Sequence, residues 1–232
     1  MLRLRTSFAK AEEVLFVTKG ESLMIDKLTV NEHSSIRIGT DKVIYFDPFH
    51  LNKPDHDADL IFITHDHYDH FSPEDLEKCA NKDSRFVAPY TMKRAFKKAR
   101  INEDNITFMH AGYSAEVLGI PIDAIAAYNV FKPFHPHKSG WLGYVVTLEG
   151  KRIYVCGDTD ATPEAKAVTC DIICVPIGGT YTIGAKQAAD LVNHIKPEIA
   201  VPIHYGSIVG KPTDADNFAD YVEPPVQVVK KL

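Results

Sequence analysis

The sequence predicts an α/β chain folded as an αββα sandwich, two packed mixed β-sheets with helices on their outer faces. Three observations lead there. Short β-rich runs alternate with helical segments along the whole chain, and no Ser/Gly-rich linker divides it. Several of those runs (LIFIT, IICVP, IAVPI) are apolar almost without interruption, which suits strands covered on both faces. The pattern also occurs twice. IRIGTDKVIYFDP followed by DADLIFITHDHYDHFSPEDLEK matches YVVTLEGKRIYVCGDT followed by CDIICVPIGGTYTIGAKQAADLV. Each copy reads strand, tight turn, strand ending in Asp, loop, apolar strand, loop, helix, and then continues to a further apolar strand. Residues 1–232 are therefore read as one domain of two halves, about 30–110 and 140–232. Functional loops should gather along one edge, at the strand ends.

In order, the expected strands are Ser35–Ile38, Lys42–Phe46, Leu60–Thr64, Arg85–Ala88, Ile106–Met109, Val117–Ala126, Trp141–Leu148, Arg152–Cys156, Ile172–Pro176, Ile199–Ile203 and Val226–Val229. Helix starts are marked by cap chemistry. Ser72-Pro73-Glu74-Asp75 offers an N-cap, a proline at the first helical position and an acid three residues after the cap. Thr162-Pro163-Glu164 repeats this pattern, Thr91 precedes MKRAFKKA, and Thr213 precedes DADNFADYV. Ile183–Ile195 reads as a helix ended by Lys196-Pro197.

Composition narrows the function. In 232 residues there are 26 Lys and Arg against 31 Asp and Glu, a formal charge of −5, which disfavours nucleic acid as a general partner. Hydrophobic residues make up 45%, ordinary for a globular chain and against global disorder. No window approaches the length of a membrane span, and Glu12 and Glu13 interrupt the N-terminal stretch before it could serve as a signal peptide. Cys79, Cys156, Cys170 and Cys174 form no CxxC pair and read as reduced thiols. Together these point to a cytoplasmic protein without a membrane partner; a homo-oligomer is left open.

The chemistry concentrates in Thr64-His65-Asp66-His67-Tyr68-Asp69-His70, between an apolar strand and a capped helix. Imidazole nitrogen and carboxylate oxygen are ligands for Zn²⁺, Mn²⁺ or Ni²⁺, with Zn²⁺ the default. His65 and His67 are two residues apart, so an extended backbone aims both at one ion. Asp69 and His70 fall where the chain turns, and could face a second.

This HxHxDH run is the signature of the metallo-β-lactamase superfamily, and the chain resembles that family from about His33 to Gly210. The resemblance implies the metallo-β-lactamase fold and a hydrolase. It implies that Asp47 in YFDPF orients ligand residues without touching the ion, that Asp158 in CGDTD bridges two metals, and that His204 in PIHYG is the last histidine ligand. HSSIRI, AYN, FHPH, GWLGY and PIGGTYTI are similar to the branch containing ascorbate-phosphate lactonases. His33 resembles the histidine that opens this branch, with Glu32 where Gly is usual, and is placed behind the ligands or near the metals.

One departure stands out. The family supplies another histidine before the bridging aspartate, and here the strand ends at Asn129. Three arrangements remain open: Asn129 takes the ligand's place weakly, His135 reaches back to complete the site, or the His135-Pro136-His137 loop lines the substrate cleft. One ion or two is equally open.

The expected reaction is hydrolysis of a small ester, lactone or phosphodiester by metal-activated water, with Asp69 orienting the water or accepting its proton. Tyr181 could donate to the developing anion. Lys132, Lys138 and the His-Pro-His loop form a locally basic rim that suits an anionic substrate. The basic run Lys93–Arg100 reads as a solvated helix face. The alternatives are a non-catalytic metal-binding or ligand-sensing protein, and a nuclease.

Overall fold

A computed structural model of the chain describes residues 21–232. The N-terminal stretch considered above for a signal peptide lies outside them. The first sheet has six strands in sequence order: β1 (Leu28–Glu32), β2 (Ser35–Gly39), β3 (Val43–Phe46), β4 (Ala58–Phe62), β5 (Ala80–Pro89) and β6 (Ile106–Met109). The pairs β1/β2 and β2/β3 are antiparallel, and β3 to β6 are parallel. The second sheet holds β7 (Ser114–Val117), β8 (Ile120–Ala126), β9 (Leu142–Leu148), β10 (Lys151–Val155), β11 (Ile172–Pro176), β12 (Ile199–Ile203) and β13 (Gln227–Val228). Its strands are antiparallel from β7 to β10 and parallel from β10 to β13. Each sheet thus contains the hairpin-then-parallel unit read twice in the sequence.

The helices are α1 (Glu21–Lys27), α2 (Pro73–Cys79), α3 (Lys93–Lys98), α4 (Pro163–Lys166), α5 (Ala185–Ile195) and α6 (Asp214–Tyr221). Side-chain alternation explains why several strands carry no polar face. In β11, Ile172 and Cys174 enter the core between the sheets, while Ile173 and Val175 face Leu191, Val192 and Phe218 on the helical side. On the other outer face, Ile61 and Phe86 meet Leu76 and Phe96 from α2 and α3. Ser72 caps α2 as expected, its hydroxyl accepting from the Asp75 amide at 3.3 Å.

Three local expectations fail for identifiable reasons. β1 was not expected, because LTVNE is an edge strand whose alternate residues face water. The expected strand Val117–Ala126 is a hairpin: Leu118 and Gly119 both take positive φ, 54° and 79°. That is the two-residue turn favoured by β-twist, but leucine in its first position hides the usual Asn-Gly or Asp-Gly signal. Thr213 makes no side-chain cap, and the Asp214 carboxylate accepts from the Lys211 amide at 2.7 Å instead. All four cysteines are free.

Gly143 in β9 has no room for a side chain. A Cβ there would lie 2.5 Å from the Cys156 carbonyl oxygen and 2.8 Å from that of Val155. Both obstacles are backbone, so neither can rotate away. Gly143→Ala should cost about 3 kcal/mol and lower the thermal midpoint by roughly 6–12 °C, read by thermal denaturation.

Candidate metal centre

The polar residues singled out in the sequence arrive from both sheets at one edge. His65, His67, Asp69 and His70 lie in the turn between β4 and α2, closed by the His70 and Phe71 amides donating to the His67 carbonyl at 3.0 and 2.8 Å. Asp47 follows β3, Asp158 follows β10, and His204 follows β12. His33 sits in the β1–β2 turn, and its carbonyl accepts from the His204 amide at 2.8 Å, which ties the two sheets together at the site. Asp47, His33 and His204 all hold positive φ, at 45°, 56° and 57°. Such conformations are uncommon for residues with a side chain and cluster where function constrains the backbone.

Three overlapping groups of donor atoms result: His65, His67 and His135; His33, Asp69, His70 and His204; and His65, His70 and Asp158. Asp158 thus stands between the first two. Its Oδ2 lies 3.2 Å from His135 Nε2 and 3.0 Å from His204 Nε2, and its Oδ1 lies 3.2 Å from His70 Nε2. His65 Nε2 and His67 Nδ1 are 3.2 Å apart, as are His33 Nε2 and Asp69 Oδ2. Two ligands bound at about 2.05 Å to one tetrahedral ion are separated by about 3.3 Å. The observed spacings match that chord.

Several of these contacts are close without being hydrogen bonds. His33 Nε2, His70 Nε2, His135 Nε2, His204 Nε2 and Asp158 Oδ1 are buried with no hydrogen-bond partner. Buried polar atoms are rarely left so, and a convergent set of them fits a bound cation.

The groups behind the histidines set their tautomers. The Thr64 hydroxyl donates to Asp47 Oδ2 at 2.6 Å, so it accepts from His65 Nδ1 at 2.9 Å. Asp47 Oδ2 also accepts from His70 Nδ1 at 2.7 Å. Asn129 Oδ1 accepts from His135 Nδ1 at 3.1 Å and from the His135 amide at 3.2 Å. In each ring the proton sits on Nδ1, leaving Nε2 free to bind metal.

This geometry bears on the alternatives left open at Asn129. Its amide oxygen faces His135, its amide nitrogen donates to Asp160 at 3.3 Å, and His135 lies in the donor cluster. Asn129→Ala should therefore weaken metal binding about 10- to 100-fold by freeing the His135 ring, measured by competition with a chromogenic chelator.

Charges follow the same plan. Burial lowers His65 and His67 below the usual imidazole range, keeping them neutral. Burial opposes ionisation of Asp158, but the neighbouring His204 and His70 outweigh it and hold the carboxyl well below its ordinary range. Burial likewise works against charge on Asp69, yet His33 and His70 beside it bring its pKa to about 2. Burial also opposes charge on His70, and Asp158 and Asp47 nevertheless raise it well above an ordinary imidazole.

A cavity of about 260 Å³ opens over these atoms, lined by His67, Asp69, His135, Asp158, Tyr181, Phe134, Tyr68 and Ile208. Tyr181 is thus near the donors, its ring edge-on to Phe134 at 4.8 Å. The expected basic rim does not form. Lys132 is paired with Asp160 and donates to the Thr182 carbonyl, and Lys138 is exposed on a short turn and does not line the cavity. Thr64, Asp160 and Trp141 were not expected. Trp141 lies 5.0, 4.8 and 5.3 Å from the rings of His65, His67 and His135 and walls that cluster. Thr64 alone carried a signal, a hydroxyl directly before the histidine run.

Two mixed sheets flanked by helices, with imidazoles and carboxylates gathered at one edge, define the metallo-β-lactamase fold. Residues 27–204 match the family model described as the beta-lactamase superfamily domain, and the chain belongs to that superfamily. It is 30% identical over 210 residues to a UPF0173 metal-dependent hydrolase of Thermococcus onnurineus, covering 85% of this chain and 92% of that one. A UPF0173 metal-dependent hydrolase of Staphylococcus aureus is 31% identical over 225 residues, 88% of this chain and 96% of its own. Among solved structures, a protein from Parabacteroides distasonis described as a metal-dependent hydrolase superposes with a TM-score of 0.74 at 27% identity, covering 88% and 92% of the two chains. A metallo hydrolase from Ignicoccus hospitalis shares the fold, with a TM-score of 0.69 at 21% identity over 88% and 94%. Among the described residues, no helix is long and apolar enough to cross a membrane.

Proposed function

We propose that the chain is a metal-dependent hydrolase that cleaves a small ester, lactone or phosphodiester at a two-metal centre. The observation that carries this is the meeting of two donor clusters at Asp158 beneath a cavity. In this reading His65, His67 and His135 hold one ion, and Asp69, His70 and His204 hold the other with His33 beside them. Asp158 serves both, and Asp47, Thr64 and Asn129 hold the rings in place. Zn²⁺ suits this donor set, and Mn²⁺ and Ni²⁺ accept it too. Bound there, such ions supply water of lowered pKa and a Lewis acid for the electrophilic oxygen.

The chain's own residues do the rest. Asp69, whose carboxyl is held near 2 and so stays ionised at neutral pH, orients the attacking water by accepting a hydrogen bond from it. The Tyr181 hydroxyl donates to the charge that develops on the substrate. Phe134, Tyr181 and Ile208 exclude water from the reacting group and favour an apolar environment around it. Lys132 and Lys138 lend no support to an anionic group at this point.

The test is a panel of nitrophenyl esters, lactones and phosphodiesters offered to protein loaded separately with zinc, manganese and nickel. Turnover lost with chelator and restored by metal is expected. Metal retained with no turnover across the panel would favour the sensing alternative, and cleavage confined to polynucleotides would favour the nuclease.

A further inference from the structure

The metal cavity holds about 260 Å³, below the roughly 300–1,000 Å³ usual for a small-molecule site. It takes the reacting group of a substrate, and the remainder must lie beyond its mouth. Tyr68, 67% exposed, is part of that mouth and also part of a second, larger cavity of about 820 Å³. Phe71 contributes apolar surface to the second cavity, and Arg94, Lys98 and Arg100 line it. Arg94 and Lys98 are four residues apart on α3 and share a face.

These three cations make no ion pair and no side-chain hydrogen bond among the described residues, although Lys93 on the same helix is paired with Glu103 at 3.0 Å. Three unpaired cations are concentrated here in a chain of net charge −5. Arg100 also takes φ 61° just past the end of α3, where its amide donates to the Lys97 carbonyl and the Ile101 amide to that of Phe96. Glycine is the usual residue at that position, yet this chain carries a cation there. Asp66 lines the cavity from the histidine turn and repels an anion from the metal end, which leaves the α3 end for it.

We infer that this second cavity binds a phosphomonoester that also bears a flat aromatic ring, with the phosphate on Arg94, Lys98 and Arg100 and the face of the ring against Tyr68 and Phe71. Two guanidinium groups suit the several acceptor oxygens of a phosphate. The site anchors the outer end of a substrate whose scissile bond reaches the metal cavity; that placement rests on the hydrolase reading, whereas the binding site does not.

Adenosine monophosphate is the probe, titrated by calorimetry into the metal-loaded protein. One saturable site is expected. The double variant Arg94→Ala/Arg100→Gly should bind about tenfold more weakly or worse, having lost two charge-assisted contacts. Its thermal midpoint should hold or rise, since glycine suits the backbone at position 100. His65→Ala should bind as the wild type does. The proposal is overturned if the wild type fails to bind, if the double variant binds equally well, or if His65→Ala abolishes binding. Inorganic phosphate binding as tightly as the nucleotide would overturn the role of the ring. With an ester that the enzyme turns over, the nucleotide should raise KM and leave kcat unchanged; a loss of kcat alone would overturn the anchoring of the substrate. Nucleotide binding without turnover in any panel would sink the hydrolase reading and leave the binding site standing.

Discussion

Asp158→Ala should lower turnover on the order of a thousandfold or more and reduce the metal bound per chain. On the proposed two-metal reading, the magnitude follows from removing several kcal/mol of charge stabilisation from the centre. Asp158 is the carboxylate that approaches both donor clusters, with contacts of 3.2, 3.0 and 3.2 Å to His135, His204 and His70. Without it, Asp69 is left as the anionic member of the clusters. The fold should survive, because the histidines around Asp158 can become neutral once their counter-charge is gone. Elemental analysis, a turnover assay and thermal denaturation of metal-free protein check the three parts. Full metal content with full activity would remove Asp158 from the mechanism.

Asp47→Ala should have the largest effect on stability. Asp47 is buried and accepts from the Thr64 amide at 2.7 Å, the Thr64 hydroxyl at 2.6 Å and His70 Nδ1 at 2.7 Å. Alanine leaves three buried donors without an acceptor, at about 1–3 kcal/mol each, so the sum is roughly 3–9 kcal/mol. Total stability for a folded chain is only about 5–15 kcal/mol. The positive φ of 45° adds to the cost, since aspartate tolerates that conformation better than alanine. Metal affinity should fall as well, as the His70 ring loses the partner that fixes its tautomer. Denaturant unfolding of metal-free protein reads the first effect and a metal titration the second. A variant as stable as the wild type would show that Asp47 does not organise this edge of the fold.

The legible parts of the site are those encoded locally. The HDHYDH turn places four donor side chains within a few residues, and no distant contact is needed to read it. The doubly covered strands β11 and β12 are legible for a similar reason, since an uninterrupted apolar run has few other uses in a short segment. Asp47, Asp158 and His204 were legible only through resemblance, because each sits alone at a strand end and its partners lie on other strands. The relation of Asn129 to His135 depends on a reverse turn, in which the Asn129 amide donates to the His135 carbonyl at 2.7 Å. No residue spacing announces that closure. Lys132 looked available in the sequence, but its partner Asp160 is 28 positions away and meets it only after the loops fold together. The basic run on α3 reads as a solvated face, and Arg94, Lys97, Lys98 and Arg100 are exposed; no local spacing shows that residues of the histidine turn complete a cavity beside it.

Anomalous diffraction at the metal edge, from crystals of the metal-loaded protein, is the most direct measurement. Two peaks are expected, one among His65, His67 and His135, the other among Asp69, His70 and His204, with a carboxylate oxygen of Asp158 facing each. An empty donor edge, or ions bound elsewhere on the chain, would contradict the account.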